Sequence, residues 1–250
     1  MRNTITISKG FGWFLGSFSN NKSHKHYAIQ LSIPLAGPIK LVFDKTEILT
    51  EKAVLIKSHV RHALSAEQYH LLFLFNPIST VGHFWNNLIN TSYQEADVEP
   101  IGQLKRIGTD FLHSRISEEE LRIRIVRVVH RYDCHCDEYV HAGDQRIDRA
   151  IHYLSQHSHR VVPLEEISEY CHLSPSRFLH LFKETTSLTY RRAQLWTKMI
   201  NALPYFGQLP LTTIAHRVGF ADSAHFSRTF SENFGFSPRE LGKNSQFVQV

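Results

Sequence analysis

Two short stretches hold side chains whose types and spacing suit hydrogen bonding to an extended partner. In GFADSAHFSRTFSENFG, Gly219 to Gly235, Phe226, Phe230 and Phe234 recur every fourth residue and form one apolar stripe. Ala224, His225, Arg228 and Glu232 point the other way. In SPSRFLHLFK, from Ser174, the apolar side is Phe178, Leu181 and Phe182. Ser176, His180 and Lys183 face away, with Arg177 and Leu179 on the flanks. Hydroxyl, imidazole, ammonium and guanidinium groups can pair with base edges or phosphates, and a leucine can meet a thymine methyl. For one helix a solvated bundle face is an equal reading. The same layout occurring twice favours a presented surface.

The elements that must hold these faces out are written twice. Leu164/Leu211, Ile167/Ile214 and Leu173/Phe220 match at one offset. After one extra residue in the second copy, Phe178/Phe226, Phe182/Phe230, Glu184/Glu232 and Thr189/Ser237 match at the next. Such self-similarity marks one supersecondary unit used twice. Each copy reads as a short helix, a tight turn and a second capped helix. Ser174-Pro175 supplies an N-cap and an N1 proline in the first, and Asp222 an N-cap in the second. Gly219 permits a turn conformation closed to other residues. This is helix-turn-helix grammar, in which the second helix enters a major groove. Between the copies, Tyr190 to Phe206 reads as a helical rod about 25 Å long. It could set the two faces one DNA turn apart, with Arg191, Arg192 and Lys198 near backbone phosphates. Pro204 should kink or end it.

The first half has different grammar. HYAIQLSIPL, IKLVFD and HLLFLF are apolar runs broken by Gly, Pro and Asn, which suggests antiparallel strands in a sandwich or barrel. From about 82 to 132 the period is helical. Ile101, Leu104, Ile107, Phe111 and Leu112 line one helix, and Ser117 with Glu120 opens a second with a capping box. Its stripe, Leu121, Ile125 and Val128, either covers the barrel or exposes a seam for a second copy of the chain. Beyond Gly143 the pattern is helical throughout, with no expected strand. Cys134-His135-Cys136 is read as a linker pair, since CxC lacks the spacing of a thiol redox motif.

Composition fits this division. With 250 residues and 42% apolar content, the chain can bury real cores in one large or two ordinary domains. The net charge of +5 is split almost evenly between the halves, so placement rather than charge must locate a polyanion-binding surface. No apolar run reaches membrane-spanning length, and the N-terminus has no signal-peptide pattern, so a cytoplasmic protein is expected.

The last hundred residues closely resemble the DNA-binding domain of the AraC/XylS family of bacterial transcription regulators. The matching residues are ISEYCHLSPSRFLHLFK from Ile167, IAHRVGFADSAHFSRTF from Ile214 and FGFSP from Phe234. The resemblance implies that outward residues of the two recognition helices read bases. By motif position these are Ser176, Arg177, Leu179, His180, Ser223, Ala224, His225, Ser227 and Arg228. The chain departs from the family pattern at Ser187, where glycine is usual, and at Pro204.

The resemblance also implies an α+β architecture: an N-terminal cupin-like barrel with a dimerising helical pair over residues 1–142, then an all-α reader over 143–250. The helix-turn-helix units fall near 164–185 and 211–234. His24, His26, Gln30 and Gly37 follow the spacing of a cupin metal motif, with an amide in place of the acid, and His62 stands at the second-motif histidine. Two or three histidines and an amide could hold a divalent ion. The missing carboxylate argues against it. No metal and no cofactor is assigned, and His24, His26, Gln30 and His62 are read as groups at the mouth of an effector pocket or as surface histidines. The expected function is a sequence-specific, effector-responsive regulator acting as a homodimer on double-stranded DNA, with RNA polymerase a candidate partner and no catalysis. The alternative is a metal-dependent cupin enzyme fused to a DNA-binding module.

Overall fold

The computed structural model describes residues 3–8, 10–19, 21–44, 46–133, 144–186, 188–240 and 245–249. By contacts the chain divides into two units, Met1–Cys134 with Thr229–Val250, and His135–Arg228. Cys134-His135-Cys136 and Ser187 lie outside the described residues. Among those described, no helix is long and apolar enough to cross a membrane.

The first unit is built on strands β1 (Asn3–Ser8), β2 (Phe11–Phe18), β3 (Ile29–Pro34), β4 (Ile39–Phe43), β5 (Thr46–Thr50), β6 (Ala53–Ile56), β7 (Ala63–Phe75) and β8 (Tyr93–Ala96). Strands β8-β6-β3-β7-β2-β1 lie side by side and antiparallel. The long β7 passes from this layer to a second one, pairing with β4, which in turn pairs with β5. The expected antiparallel, cupin-like double sheet is therefore present. Helices α1 (Thr80–Asn87), α2 (Glu99–Leu112) and α3 (Glu118–Arg131) follow.

Two apolar clusters explain the strand patterns. Ile29, Leu31 and Ile33 of β3 pack with Trp13, Phe73 and Phe75 against the helices. Ile39, Leu41, Phe43, Val54 and Ile56 fill the space between the layers. Because both faces of β3 are covered, all six of its residues are buried and it reads as a continuous run rather than an alternation. Gly108 lets α2 approach the sheet, since a Cβ there would stand 2.8 Å from the Leu71 side chain and 2.9 Å from that of Leu35.

Helix α3 starts as expected, with Ser117 accepting from the Glu120 N–H and the Glu120 carboxylate accepting from the Ser117 N–H. Its stripe resolves the two readings offered above. Leu121, Ile125, Val128 and Val129 are all buried in the core beneath the sheet. They cover the sheet and cannot also be a seam for a second copy.

Three further expectations are corrected. The stretch from 82 to 132 is not helical throughout, because Tyr93–Ala96 forms β8 on the edge beside β6. The region beyond Gly143 does contain a strand, β9 (Ser245–Gln249), parallel to β1 in the register Asn3↔Ser245 to Ile7↔Gln249. Both strands are four or five residues long, and such short strands owe their form to the neighbour's backbone rather than to their own propensity. The rod is also shorter than expected, as shown below.

His70 lies buried on β7, with Phe14 and Phe18 at ring distances of 5.4 and 5.0 Å. Burial lowers its pKa to about 4, and the nearby backbone of Gly16 and Gln68 offsets this only in part. The folded chain therefore takes up this proton later than the unfolded chain, whose histidine titrates near 6.5. The associated stability is complete above about pH 6.5 and is lost as pH falls toward 4. His70→Phe should flatten the decline of the urea midpoint between pH 7 and 5 by about one proton's worth of slope. Parallel curves for the two proteins would rule this out.

Candidate functional site

Helix α4 (Gln145–Gln156) opens the second unit. Its Tyr153 hydroxyl donates to Glu166 Oε1 at 2.6 Å, and Arg160 grips the same carboxylate through two nitrogens. The Arg160 guanidinium, then the Tyr153 hydroxyl, holds the Glu166 carboxyl down at about 2. This knot ties the end of α4 to α5 (Leu164–Tyr170), the first helix of the first repeat.

The two repeats fold as drawn from sequence. Helix α5 is followed by α6 (Pro175–Thr186), and α8 (Leu211–Arg217) by α9 (Ser223–Phe234). The N-caps are as expected: the Arg177 N–H donates to Ser174 Oγ at 3.3 Å, and the His225 N–H to Asp222 Oδ1 at 2.7 Å. The turns share one hydrogen-bond plan. Leu173 N–H donates to Ser168 O and His172 N–H to Glu169 O, both at 2.9 Å. At the matching positions Phe220 N–H donates to Ala215 O at 2.9 Å and Gly219 N–H to His216 O at 3.0 Å. These pairs are the two bonds of a Schellman motif, whose C′ residue must be left-handed. Gly219 takes φ 76° there and His172 φ 54°.

Between the repeats, α7 (Tyr190–Ala202) ends in a 3₁₀ turn, Leu203–Tyr205, that contains Pro204. Proline terminates the rod as expected, but the α-helix has 13 residues and is about 20 Å long rather than 25. The Tyr190 hydroxyl and Gln194 Nε2 donate to Val162 O at 2.8 and 3.1 Å, which fixes α7 against the segment before α5. Tyr190 also packs edge-on against Phe178 and Phe182 of α6.

The candidate base-reading residues divide as follows. On α6, Ser176, Arg177, Leu179, His180 and Lys183 are exposed, while Phe178, Leu181 and Phe182 are buried. Leu179 is 41% exposed, which leaves its methyl groups open to a partner. His180 Nδ1 lies 3.5 Å from Glu184 on the same face. On α9, Ala224, His225 and Arg228 are exposed and Ser223 and Ser227 half-buried. The Ser227 hydroxyl donates to Ser223 O at 2.6 Å, so toward any partner it can only accept. The His225 ring stands edge-on to Phe220 at 5.1 Å. Arg191 and Arg192 are exposed on the first turn of α7.

Lys198 does not join them. It is 5% exposed, and its Nζ donates to Gly219 O at 2.7 Å. Burial lowers its pKa. The phosphate role expected from sequence is overturned: Lys198 holds the second turn in place. Its acceptor is distant in sequence, so nothing local marks it.

In the first unit the structure brings the four candidate effector residues together. His24, His26 and His62 are each no more than 5% exposed and Gln30 is 2% exposed, which overturns the surface-histidine reading. The strand-like bridge His24↔His62, closed by two backbone bonds of 2.9 Å, sets two of the rings side by side. One ring nitrogen from each of the three histidines lies within 4.8 Å of the others. Gln30 Oε1 stands 3.0 Å from His26 Nε2 and 3.1 Å from His62 Nε2, and its amide nitrogen donates to Ser32 Oγ at 3.1 Å. Sequence reading passed over Ser32, although its place two residues after Gln30 puts it on the same face of β3. Burial lowers all three imidazole pKa values, that of His24 to about 3. The loop carrying His24 also meets the C-terminal end of α9 within the same unit. Asn21 Nδ2 donates to Phe234 O at 3.0 Å and the Lys22 N–H to Gly235 O at 3.3 Å.

Comparison with known proteins agrees with these features. Residues 167–244 match the family model described as "Helix-turn-helix domain". The arabinose operon regulatory protein of Escherichia coli K12 is 27% identical over 245 residues, covering 87% of this chain and 80% of that protein. ToxT from Vibrio cholerae O395 superposes with a TM-score of 0.60 at 16% identity, over 94% of this chain and 98% of ToxT. Wild-type ToxT of Vibrio cholerae strain SCE256 with a bound unsaturated fatty acid superposes at 0.58, with 16% identity over 98% and 97% of the two chains. At that identity the likeness is one of fold. The duplicated capped turns, the match across both halves to the arabinose regulator and the shared two-part fold lead to one conclusion: residues 167–244 form an AraC-type helix-turn-helix domain, and the chain as a whole is similar to DNA-binding transcription regulators of the AraC/XylS type.

Proposed function

We propose that the chain reads an operator through α6 and α9, each placing its exposed face in one of two successive major grooves. The observation that carries this is the pair of matching units in which buried phenylalanines anchor a helix whose opposite face is polar and exposed. Ser176, Arg177, Leu179 and His180 read bases in one groove, and Ser223, Ala224, His225, Ser227 and Arg228 in the other. Lys183, Arg191 and Arg192 grip phosphates, adding affinity without sequence information. Functionally the division falls near residue 142, with a sensor over 1–142 and a reader over 143–250.

The sensor binds a small effector at His24, His26, Gln30 and His62, and the chain acts as a cytoplasmic homodimer that meets RNA polymerase at the promoter. It regulates by binding rather than turnover. An effector shifts the population between arrangements of the dimer that span different half-sites. A ToxT structure of the same fold holds a bound unsaturated fatty acid, which supports a small-molecule ligand for this chain.

Selection from random DNA with the full chain, followed by footprinting, tests the reading. Two protected half-sites about one helical turn apart are expected. A single protected groove would overturn it. Arg228→Ala should weaken binding to the selected sequence by about 1–3 kcal/mol and leave random DNA almost unaffected. Equal losses on every sequence would reduce Arg228 to a phosphate contact.

A further inference from the structure

The histidine cluster has a feature that its burial alone does not explain. His24 Nδ1 lies 2.8 Å from Lys22 O, His26 Nδ1 2.9 Å from Ala28 O and His62 Nδ1 2.9 Å from Val60 O. A carbonyl only accepts, so each Nδ1 carries the proton. In a neutral imidazole the other nitrogen is then a bare lone pair. One nitrogen from each of the three rings lies within 4.8 Å of the others, and Gln30 Oε1, a further acceptor, stands 3.0 and 3.1 Å from the Nε2 atoms of His26 and His62. Around Gln30 Oε1 three lone pairs thus face one another with no proton between them, and the His24 ring stands beside them, its centroid 5.4 and 4.6 Å from those of His26 and His62.

Such an arrangement is costly unless something positive sits at its centre. Backbone carbonyls that fix the tautomer of converging histidines are the usual support of metal-binding imidazoles. Turning the Gln30 amide over would let its N–H groups satisfy His26 and His62, but would not account for the third imidazole, His24, buried beside them. We propose that His24, His26, His62 and Gln30 bind a divalent first-row transition ion, and that this ion is the effector. The proposal rests on the reading of the chain as an effector-responsive regulator.

The donor set decides the class of ion. Three imidazoles and one amide oxygen suit zinc, cobalt, nickel or copper, whereas calcium and magnesium demand more oxygen and usually carboxylates. Ligand atoms about 2.1 Å from a tetrahedral ion stand about 3.4 Å apart, near the 3.0 and 3.1 Å between Gln30 Oε1 and two imidazoles and inside the 4.8 Å span of the three rings' nitrogens. The route from site to output is also short. His24 is hydrogen-bonded to Lys22, whose N–H holds Gly235 O, and the neighbouring Asn21 holds Phe234 O at the end of α9. An ion that fixes the His24 ring bears directly on the loop that meets the end of this helix.

The test uses the full chain, freed of metal by dialysis against a chelator and then titrated with cobalt chloride. Expected are one equivalent of bound cobalt, visible d–d bands of a low-coordinate site, and no competition from a large excess of magnesium. His26→Ala and His62→Ala should each weaken binding by more than tenfold, and Gln30→Glu should bind at least as tightly with a shifted band. Binding that survives both histidine changes, or no stoichiometric binding by the parent chain, would overturn the site. Where a histidine variant unfolds, the parent and Gln30→Glu spectra decide: identical bands mean that Gln30 is no ligand and the site is wrong.

Fluorescence anisotropy on the selected duplex, with and without cobalt, tests the effector role. A change in affinity of fivefold or more is expected. Cobalt bound at the site with no change in DNA affinity would overturn it. If the chain binds no DNA in either state while the cobalt spectrum persists, the regulator reading fails and the metal site stands.

Discussion

Gly219→Val should unfold the second helix-turn-helix and abolish operator binding, at a cost of roughly 3–5 kcal/mol. Two independent effects add. The left-handed backbone at φ 76° is closed to a β-branched residue, which alone costs about 1–3 kcal/mol. In addition, a Cβ at this position would lie 2.6 Å from the backbone oxygen of His159 and 3.0 Å from Lys198 Nζ. Moving away would release the Lys198 ammonium from Gly219 O and leave a buried cation without its acceptor. The control is the matching position in the first repeat. His172 takes the same left-handed conformation with a side chain in place, so His172→Gly should stabilise the chain by about 0.5–1 kcal/mol. Urea unfolding of both variants checks the pair. A Gly219→Val protein of parental stability would show that the turn is adaptable and that the Schellman geometry is not required.

Leu121→Asp and Ile125→Asp should each unfold the first unit, by several kcal/mol, rather than separate a dimer. Both side chains are fully buried beneath the sheet, where a carboxylate finds no partner in the apolar cluster around it. Ile123→Asp is the informative contrast. It sits on the same helix, is 49% exposed, and should leave the melting temperature within a few degrees of the parent. Circular dichroism with light scattering separates the outcomes: a folded monomeric Leu121→Asp protein would restore the seam reading and refute the packing described here. Loss of a dimer in Ile123→Asp with the fold intact would place the interface on the outer face of α3.

How much of this was legible beforehand depended on distance along the chain. Caps, turns and stripes are local, and the structure places them where the spacing predicts. The capping box at Ser117, the N-caps at Ser174 and Asp222, the left-handed turn at Gly219 and the stop at Pro204 each involve residues within a few positions of one another. The duplication made the reading stronger, because two stretches with one hydrogen-bond plan constrain each other. The spacing of His24, His26, Gln30 and His62 also picked out side chains that the fold brings together. It did not reveal that they are buried, or that three backbone carbonyls fix which nitrogen carries the proton.

The sequence by itself determined the helix-turn-helix units, the strand-rich first half and the polar faces of α6 and α9, since period and capping are properties of neighbouring residues. Only the tertiary structure decided that Leu121 and Ile125 lie under the sheet, that Lys198 serves a turn twenty-one residues away, and that Tyr93–Ala96 and Ser245–Gln249 become strands. An amphipathic stripe announces that it will be buried but not against what, and a buried lysine or a short edge strand takes its role from a backbone group that the chain brings close only on folding.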